Sequence, residues 1–262
     1  ASQVQSRKKE IERLQTSDLS RSNIARPFIR FQMKRPSGRV PLEVKDLGRA
    51  YGDNVVFSGF GCMIERGEKI AVLGRNGAGK TTLLKALLAN GTGPYDKEPD
   101  LAEGKGDVTW GHEVQIGYFA QDHRESIAKG MTASEWLHQF DPQASREEIR
   151  GVLGQMLFAG EEGMKPTEAL SGGEAARLIF CRLMLEKPNF LVMDEPTNHL
   201  DLESINALNF AIQKYEGTVI LVTHDEDLVA DTATRIWNIE DGVITNFKGS
   251  YEEFQATEAA KA

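Results

Sequence analysis

Apolar residues along the chain form short continuous runs that alternate with stretches of helical spacing. The runs IAVLG at 70–74, FLVM at 190–193 and TVILV at 218–222 are typical of strands buried on both faces of a sheet. Helices are predicted at 83–89, 172–186 and 203–215. Strands that alternate with helices in this order indicate an α/β fold with a mostly parallel sheet that helices cover on both faces.

Other predicted elements lie before, within and after this alternation. LEVKDL and VVFSGFGCMI, within 42–64, predict strands that precede it. The pattern between 132 and 168 is helical, which predicts a helical insert, and Asp241-Gly242 predicts the turn of a late hairpin. Pairs at capping-box spacing mark two starts in the insert and a final helix: Thr132 with Glu135, Ser145 with Glu148, and Ser250 with Glu253.

The amino-acid composition indicates the class of protein. The 262 residues are 40% hydrophobic and 27% charged, as in folded globular domains. Cys62 and Cys181 are too few for a disulfide framework. Because the chain has no apolar run of about 18 residues and no apolar segment at its start, we expect a cytoplasmic protein with no membrane insertion.

Charge is segregated along the chain. Residues 1–40 hold ten Lys or Arg against three Asp or Glu, whereas the rest holds 21 basic and 36 acidic residues. We therefore divide the chain into a basic linker at 1–41, helical at 3–15 and then extended, and a body at 42–262. The basic residues of the linker are interleaved with Phe28 and Phe31. The linker is therefore either a solvated tether or an arm that contacts a polyanion.

GRNGAGKT at 74–81 matches the phosphate-loop pattern and lies between a predicted strand and a predicted helix. Backbone N–H groups of such a loop surround phosphates, and the helix N-terminus adds a partial positive charge. We expect Lys80 to reach the β- and γ-phosphates and Thr81 to ligate Mg²⁺. The predicted ATP-binding residues of this segment are Gly74, Arg75, Asn76, Gly77, Ala78, Gly79, Lys80, Thr81 and Thr82.

Three polar residues follow two of the predicted strands. Asp194 and Glu195 end FLVMDE, and His224 ends TVILVTH. We expect Asp194 to hold Mg²⁺ through water, Glu195 to orient and deprotonate the attacking water, and His224 to contact the γ-phosphate. The alternative is that the adjacent carboxylates only cap a helix.

The order of these motifs resembles the ATP-binding-cassette domain. A phosphate loop, Gln121 after a strand, a helical insert at about 122–170, LSGGE at 170–174, FLVMDEP and TH-D follow one another as in that family, over about residues 42–262. The resemblance implies an antiparallel β subdomain beside the core sheet and an ATPase that uses Mg²⁺.

The resemblance also implies further binding residues. Tyr51 matches the aromatic on which adenine stacks, and Gln121 matches the residue that links Mg²⁺ and water to the insert. Ser171, Gly172, Gly173 and Glu174 match the signature loop, which in the family contacts ATP held by a second cassette. We therefore expect a partner, either another cassette of a longer protein or a second copy, paired head to tail.

DEPTNHLD at 194–201, together with LSGGE and ARPFIRF at 25–31, resembles the F subfamily of cassette ATPases. That resemblance implies two cassettes on one chain, a basic linker that contacts tRNA, and action on the ribosome in translation. The chain then corresponds to a C-terminal half, and Ala175 departs from the Lys frequent at its position. The alternatives are the ATPase subunit of a membrane transporter and a clamp that does not hydrolyse ATP.

Overall fold

A computed structural model of the protein describes residues 26–89 and 103–260. Its strands are β1 (Leu42–Tyr51), β2 (Asn54–Ile64), β3 (Lys69–Gly74), β4 (Glu103–Trp110), β5 (Ile116–Phe119), β6 (Phe190–Asp194), β7 (Thr218–Val222), β8 (Arg235–Glu240) and β9 (Val243–Lys248). Its α-helices are α1 (Lys80–Leu88), α2 (Ala133–His138), α3 (Arg146–Gln155), α4 (Gly172–Glu186), α5 (Leu202–Lys214), α6 (Glu226–Thr232) and α7 (Tyr251–Ala259).

The core is a six-stranded sheet in the order β5-β6-β7-β3-β8-β9. The first five strands are parallel, and β9 runs antiparallel to β8 in the predicted hairpin. Every residue of β6 and β7 is buried, which accounts for their continuous apolar sequences. Because β6, β7 and β3 are neighbours and parallel, the residues that follow them meet at one edge of the sheet.

A smaller antiparallel sheet, in the order β2-β1-β4, lies beside the core sheet. Both sheets contribute to one apolar cluster, in which Phe60 of β2 packs edge-on against Trp237 of β8 with ring centroids 5.0 Å apart. The structure thus confirms the predicted mixed α/β fold with a mostly parallel sheet and an antiparallel β subdomain.

The predicted helical insert contains α2 and α3, and both begin with the expected capping boxes at Thr132 and Ser145. Helix α4 follows with the predicted bounds 172–186. Among the described residues, no helix is long and apolar enough to cross a membrane.

The predicted linker is described only from residue 26 onward, so the helix expected at 3–15 lies outside the described residues. Residues 26–41 form no helix or strand, and they pack against the body. Ile29 and Phe31 are 3% and 6% exposed, and the Phe31 ring lies 6.3 Å from Phe180 of α4 and 6.1 Å from Tyr215. The grouping of Phe31 with the polyanion-contacting side chains is therefore wrong, because this ring is buried in the core.

Candidate nucleotide-binding site

The phosphate loop connects β3 to α1 through backbone that only glycine adopts easily. Gly74 has φ 148° and a Cβ there would lie 2.7 Å from the Ile239 carbonyl oxygen. Gly79 has φ 100°, and a Cβ there would collide with the Val56 side chain. Neighbouring strands thus approach the loop too closely for side chains at these positions, which leaves backbone amide groups available to a ligand.

Lys80 is the first residue of α1 and is 6% exposed. Its ammonium donates to the carbonyl oxygens of Gly74 at 2.9 Å and Arg75 at 3.1 Å. Burial lowers the pKa of Lys80, whereas the carboxylates of Glu195 and Asp194 act in the opposite direction. The cation is therefore held inside the loop that the sequence assigns to phosphates.

Asp194 ends β6 and is fully buried. Neither of its carboxylate oxygens has a hydrogen-bond partner that satisfies normal geometry. Burial raises the pKa of Asp194 to about 6, although the nearby Thr81 hydroxyl and Lys80 ammonium act to lower it. An unpartnered buried carboxylate beside a hydroxyl fits a divalent cation, for which hard oxygen ligands are preferred. The residues that could hold Mg²⁺ are Thr81, Asp194 and Gln121.

The unpartnered carboxylate of Asp194 gives a prediction about stability. Because the raised pKa marks a cost of ionising this group in the fold, the cost is present above pH 6 and disappears as pH falls toward 4. Asp194→Asn is expected to raise the free energy of unfolding of the ligand-free chain at pH 8 by about 1–2 kcal/mol, and to remove the extra stabilisation by Mg²⁺ in the presence of ATP.

Urea unfolding of the parent and Asp194→Asn at pH 8 and pH 4.5 measures this difference. The gain should shrink at the lower pH, and Asp107→Asn, at an exposed position, serves as the control. A ligand-free variant that is less stable than the parent at pH 8 would contradict the assignment of Asp194 as an unsatisfied metal ligand.

Glu195 follows directly and lies in a strained backbone conformation with φ 49°. Its N–H donates to the Val222 carbonyl at 2.8 Å, which ties it to the end of β7. One carboxylate oxygen lies 3.7 Å from Nε2 of His224, and the other accepts a 2.6 Å hydrogen bond from the Asn198 side chain. The sequence predicted no role for Asn198, although this residue lies inside the DEPTNHLD string.

The phosphate loop, Gln121, Glu195 and His224 surround one cavity of about 360 Å³. Predicted residues from four separate parts of the chain thus line the same cavity. Tyr51 does not line this cavity, but its hydroxyl lies 3.5 Å from that of Thr82 and its side chain is 49% exposed. The lining residues are Asn76, Gly77, Gly79, Lys80, Thr81, Thr82, Gln121, Glu195 and His224.

The signature residues lie at the start of α4 and are not among the residues that line the cavity. Ser171 and Glu174 form a capping box. Glu174 also forms an ion pair with Lys165, in which Oε1 lies 2.7 Å from Nζ. Although burial acts to raise the pKa of Glu174, the hydrogen bonds from Lys165 and Ser171 lower it to about 2. The side chain of Glu174 therefore stabilises the helix start, and its predicted contact with ATP stays a prediction.

The two signature glycines pack against His199, which sequence reasoning left without a role. A Cβ at Gly173 would lie 2.8 Å from the His199 carbonyl oxygen, and one at Gly172 would contact its side chain at 3.4 Å. His199 has φ 65° and lies in the turn after β6, which contacts the start of α4. Because His199 is distant in the sequence from Gly172 and Gly173, only the tertiary structure shows that it packs against them.

Comparison with known proteins identifies the family of the chain. The model of the family described as ABC transporter matches residues 57–198. The chain is 41% identical over 253 residues to the probable ATP-binding protein YbiT of Escherichia coli O157:H7, covering 96% of this chain and 46% of that protein. It is 37% identical over 253 residues to ABC transporter F family member 5 of Arabidopsis thaliana, covering 94% of this chain and 34% of that protein.

A third relative is the putative ATP-binding protein YdiF of Bacillus subtilis, 35% identical over 252 residues. The match covers 96% of this chain and 38% of YdiF. The chain therefore spans less than half the length of each of these relatives.

Proposed function

Because this chain belongs to the ABC transporter family and matches F-family members along most of its length, we propose that it hydrolyses ATP with Mg²⁺ where two cassettes pair head to tail. The observation that carries this proposal is the incomplete cavity. Lys80, Glu195 and His224 line it, whereas Ser171 and the glycines after it lie elsewhere on the same chain. A second cassette is needed to bring signature donors to the γ-phosphate.

The side chains around the cavity have distinct parts in hydrolysis. The Lys80 ammonium exchanges its carbonyl partners for phosphate oxygens, and the amides at the start of α1 donate to the same phosphates. Glu195, held by Asn198, accepts a proton from the attacking water, and His224 contacts the γ-phosphate from the same edge. Bound Mg²⁺ supplies charge neutralisation at the phosphates.

The need for a partner can be measured by dilution. We expect ATP turnover per molecule to fall as the isolated chain is diluted, because fewer molecules then carry a completed site. Steady-state ATPase assays between about 0.1 and 50 μM protein, with sedimentation at the same concentrations, report both quantities. A rate per molecule that is independent of dilution, with the chain monomeric, would remove the partner from the mechanism.

We further propose that the protein acts on the ribosome in the cytoplasm, with the linker end as part of the contact. The described linker end and α5 form a groove of about 870 Å³, lined by exposed cations and the aromatic ring of Phe28, 53% exposed. Among its described lining residues Glu216 is the acidic one. Cations beside an exposed ring suit an RNA backbone and an unstacked base. The groove's cations include Arg30, Lys34, Lys187 and Lys214.

Co-sedimentation with ribosomes tests this partner. We expect Lys34→Glu with Lys214→Glu to weaken ribosome binding about tenfold at moderate salt, while Lys248→Glu, an exposed position on β9, has little effect. Binding to detergent-solubilised membranes instead of ribosomes would favour the transporter subunit. Unchanged ribosome binding of the double variant would remove the groove from the interface.

A further inference from the structure

His123, in the segment that follows Gln121, contacts the signature loop. The imidazole is 4% exposed, and its two ring nitrogens face backbone carbonyls on different segments. Nδ1 lies 3.2 Å from the Gln121 oxygen, and Nε2 lies 3.4 Å from the Gly172 oxygen. A neutral imidazole carries one N–H, so the ring donates to the Gly172 carbonyl in the tautomer that has its proton on Nε2. In either tautomer the buried ring lies between the two segments.

Arg124 adds a second connection to the same loop. Its guanidinium donates to the Leu170 carbonyl at 2.8 Å, on the other side of Ser171 from the His123 contact. Two consecutive side chains thus hold the backbone carbonyls on both sides of Ser171. Hydrogen bonds at two points fix the position and the orientation of a loop, whereas one bond leaves it free to rotate.

Aromatic packing makes the connection stiff. The His123 ring lies 4.9 Å from the Phe119 ring, which stacks on Phe180 of α4 at 4.9 Å with an interplanar angle of 18°. Phe119 ends β5, and the Gln121 segment begins two residues later. The segment is therefore packed onto the helix whose start carries the signature residues.

We propose that His123 and Arg124 are positioning residues that couple the γ-phosphate end of one ATP site to the signature loop of the same chain. Gln121 lines the phosphate cavity, and under the proposed function Ser171 serves the site of the partner cassette. A displacement of Gln121 on ATP binding is transmitted through the two side chains to the loop around Ser171. Occupancy of one site thereby adjusts the donors presented to the other. This inference rests on the proposed function.

Hydrogen exchange tests the coupling without hydrolysis or pairing. In a Glu195→Gln background, at a concentration where sedimentation shows monomer, Mg-ATP is expected to slow exchange in a phosphate-loop peptide, about 72–85, and to change exchange in a signature peptide, about 168–176. In His123→Phe and Arg124→Ala the first response should persist and the second should be lost. The phenylalanine keeps the packing on Phe119 but has no ring nitrogen.

Turnover provides a second measurement. In the otherwise unchanged chain, each of the two substitutions should lower kcat about tenfold and leave the ATP dissociation constant within about twofold. Arg124→Lys retains a donor and should recover part of kcat. His112→Phe and Arg150→Ala, at exposed positions, are the matched controls. A purely structural role would lower the melting temperature and leave the signature response intact.

The outcomes separate the inference from the proposed function. A signature response that persists in both variants, or is missing from the parent while the phosphate-loop peptide is protected, overturns the coupling and leaves ATP binding standing. An unprotected phosphate-loop peptide overturns the proposed function and the coupling with it. If His123→Phe does not fold, Arg124→Ala decides the question, because the side chain of Arg124 lies at the surface.

Discussion

Replacing Glu195 with glutamine is expected to leave ATP bound and to lower its hydrolysis about 10³-fold, within the range for loss of a general base. Glutamine has the same shape, so the 2.6 Å hydrogen bond from Asn198 can still be accepted by the amide oxygen. The amide cannot accept a proton from water at neutral pH. The substitution therefore separates binding from chemistry.

The strained backbone at Glu195 strengthens this expectation. A positive φ at a residue other than glycine costs free energy, and here it is maintained by the tie to Val222 and the side-chain contact with Asn198. The conformation directs the carboxylate toward the cavity beside His224. If Glu195 only capped a helix, neither the strain nor the cavity-facing position would be needed.

Single-turnover hydrolysis and equilibrium ATP binding measure the two effects of Glu195→Gln. Sedimentation should also show that ATP accumulates paired molecules, because the completed site cannot be cleared by hydrolysis. Glu147→Gln, at an exposed position on α3, is the matched control. Hydrolysis at the parental rate in Glu195→Gln would show that this carboxylate is not the base.

Substituting Lys80 with alanine is expected to weaken ATP binding about 100-fold, the equivalent of one or two charge-assisted hydrogen bonds. The ammonium stands inside the loop on the carbonyls of Gly74 and Arg75, so its removal also leaves those oxygens without their donor. The loss of the cation and the less ordered loop both weaken ATP binding.

Calorimetric titration with Mg-ATP checks the effect of Lys80→Ala, with Lys248→Ala as an exposed control. Circular dichroism and a urea melt show whether the variant is folded. An unchanged dissociation constant in a folded Lys80→Ala chain would show that the glycine-rich loop is only a turn and binds no phosphate.

The local elements around the candidate site were predictable from the sequence. A continuous apolar run specifies a buried strand, and GRNGAGKT specifies the loop that follows one, so the structure has β3 and α1 on either side of it. The capping boxes at Thr132, Ser145 and Ser250 could also be predicted from the sequence, since each depends on two residues that are three positions apart.

Residues that act across the chain were not predictable in this way. Phe31 is separated by about 150 residues from the Phe180 ring that it packs against, and its basic neighbours in the sequence grouped it with side chains that contact a polyanion. His123 and His199 are isolated histidines in the sequence, and nothing in the spacing of either one points to Gly172. Their contacts depend on where whole elements come to lie.

By itself the sequence determined the α/β architecture, the phosphate loop, the carboxylates after β6 and the start of α4, because hydrophobic period, capping and glycine spacing act over a few neighbouring residues. Only the tertiary structure decided that Asp194 is buried without a hydrogen bond of normal geometry, that the signature residues lie outside the phosphate cavity, and that His123 lies between them and Gln121. These features arise where elements distant in the chain pack together, and such packing leaves no periodic trace in the sequence.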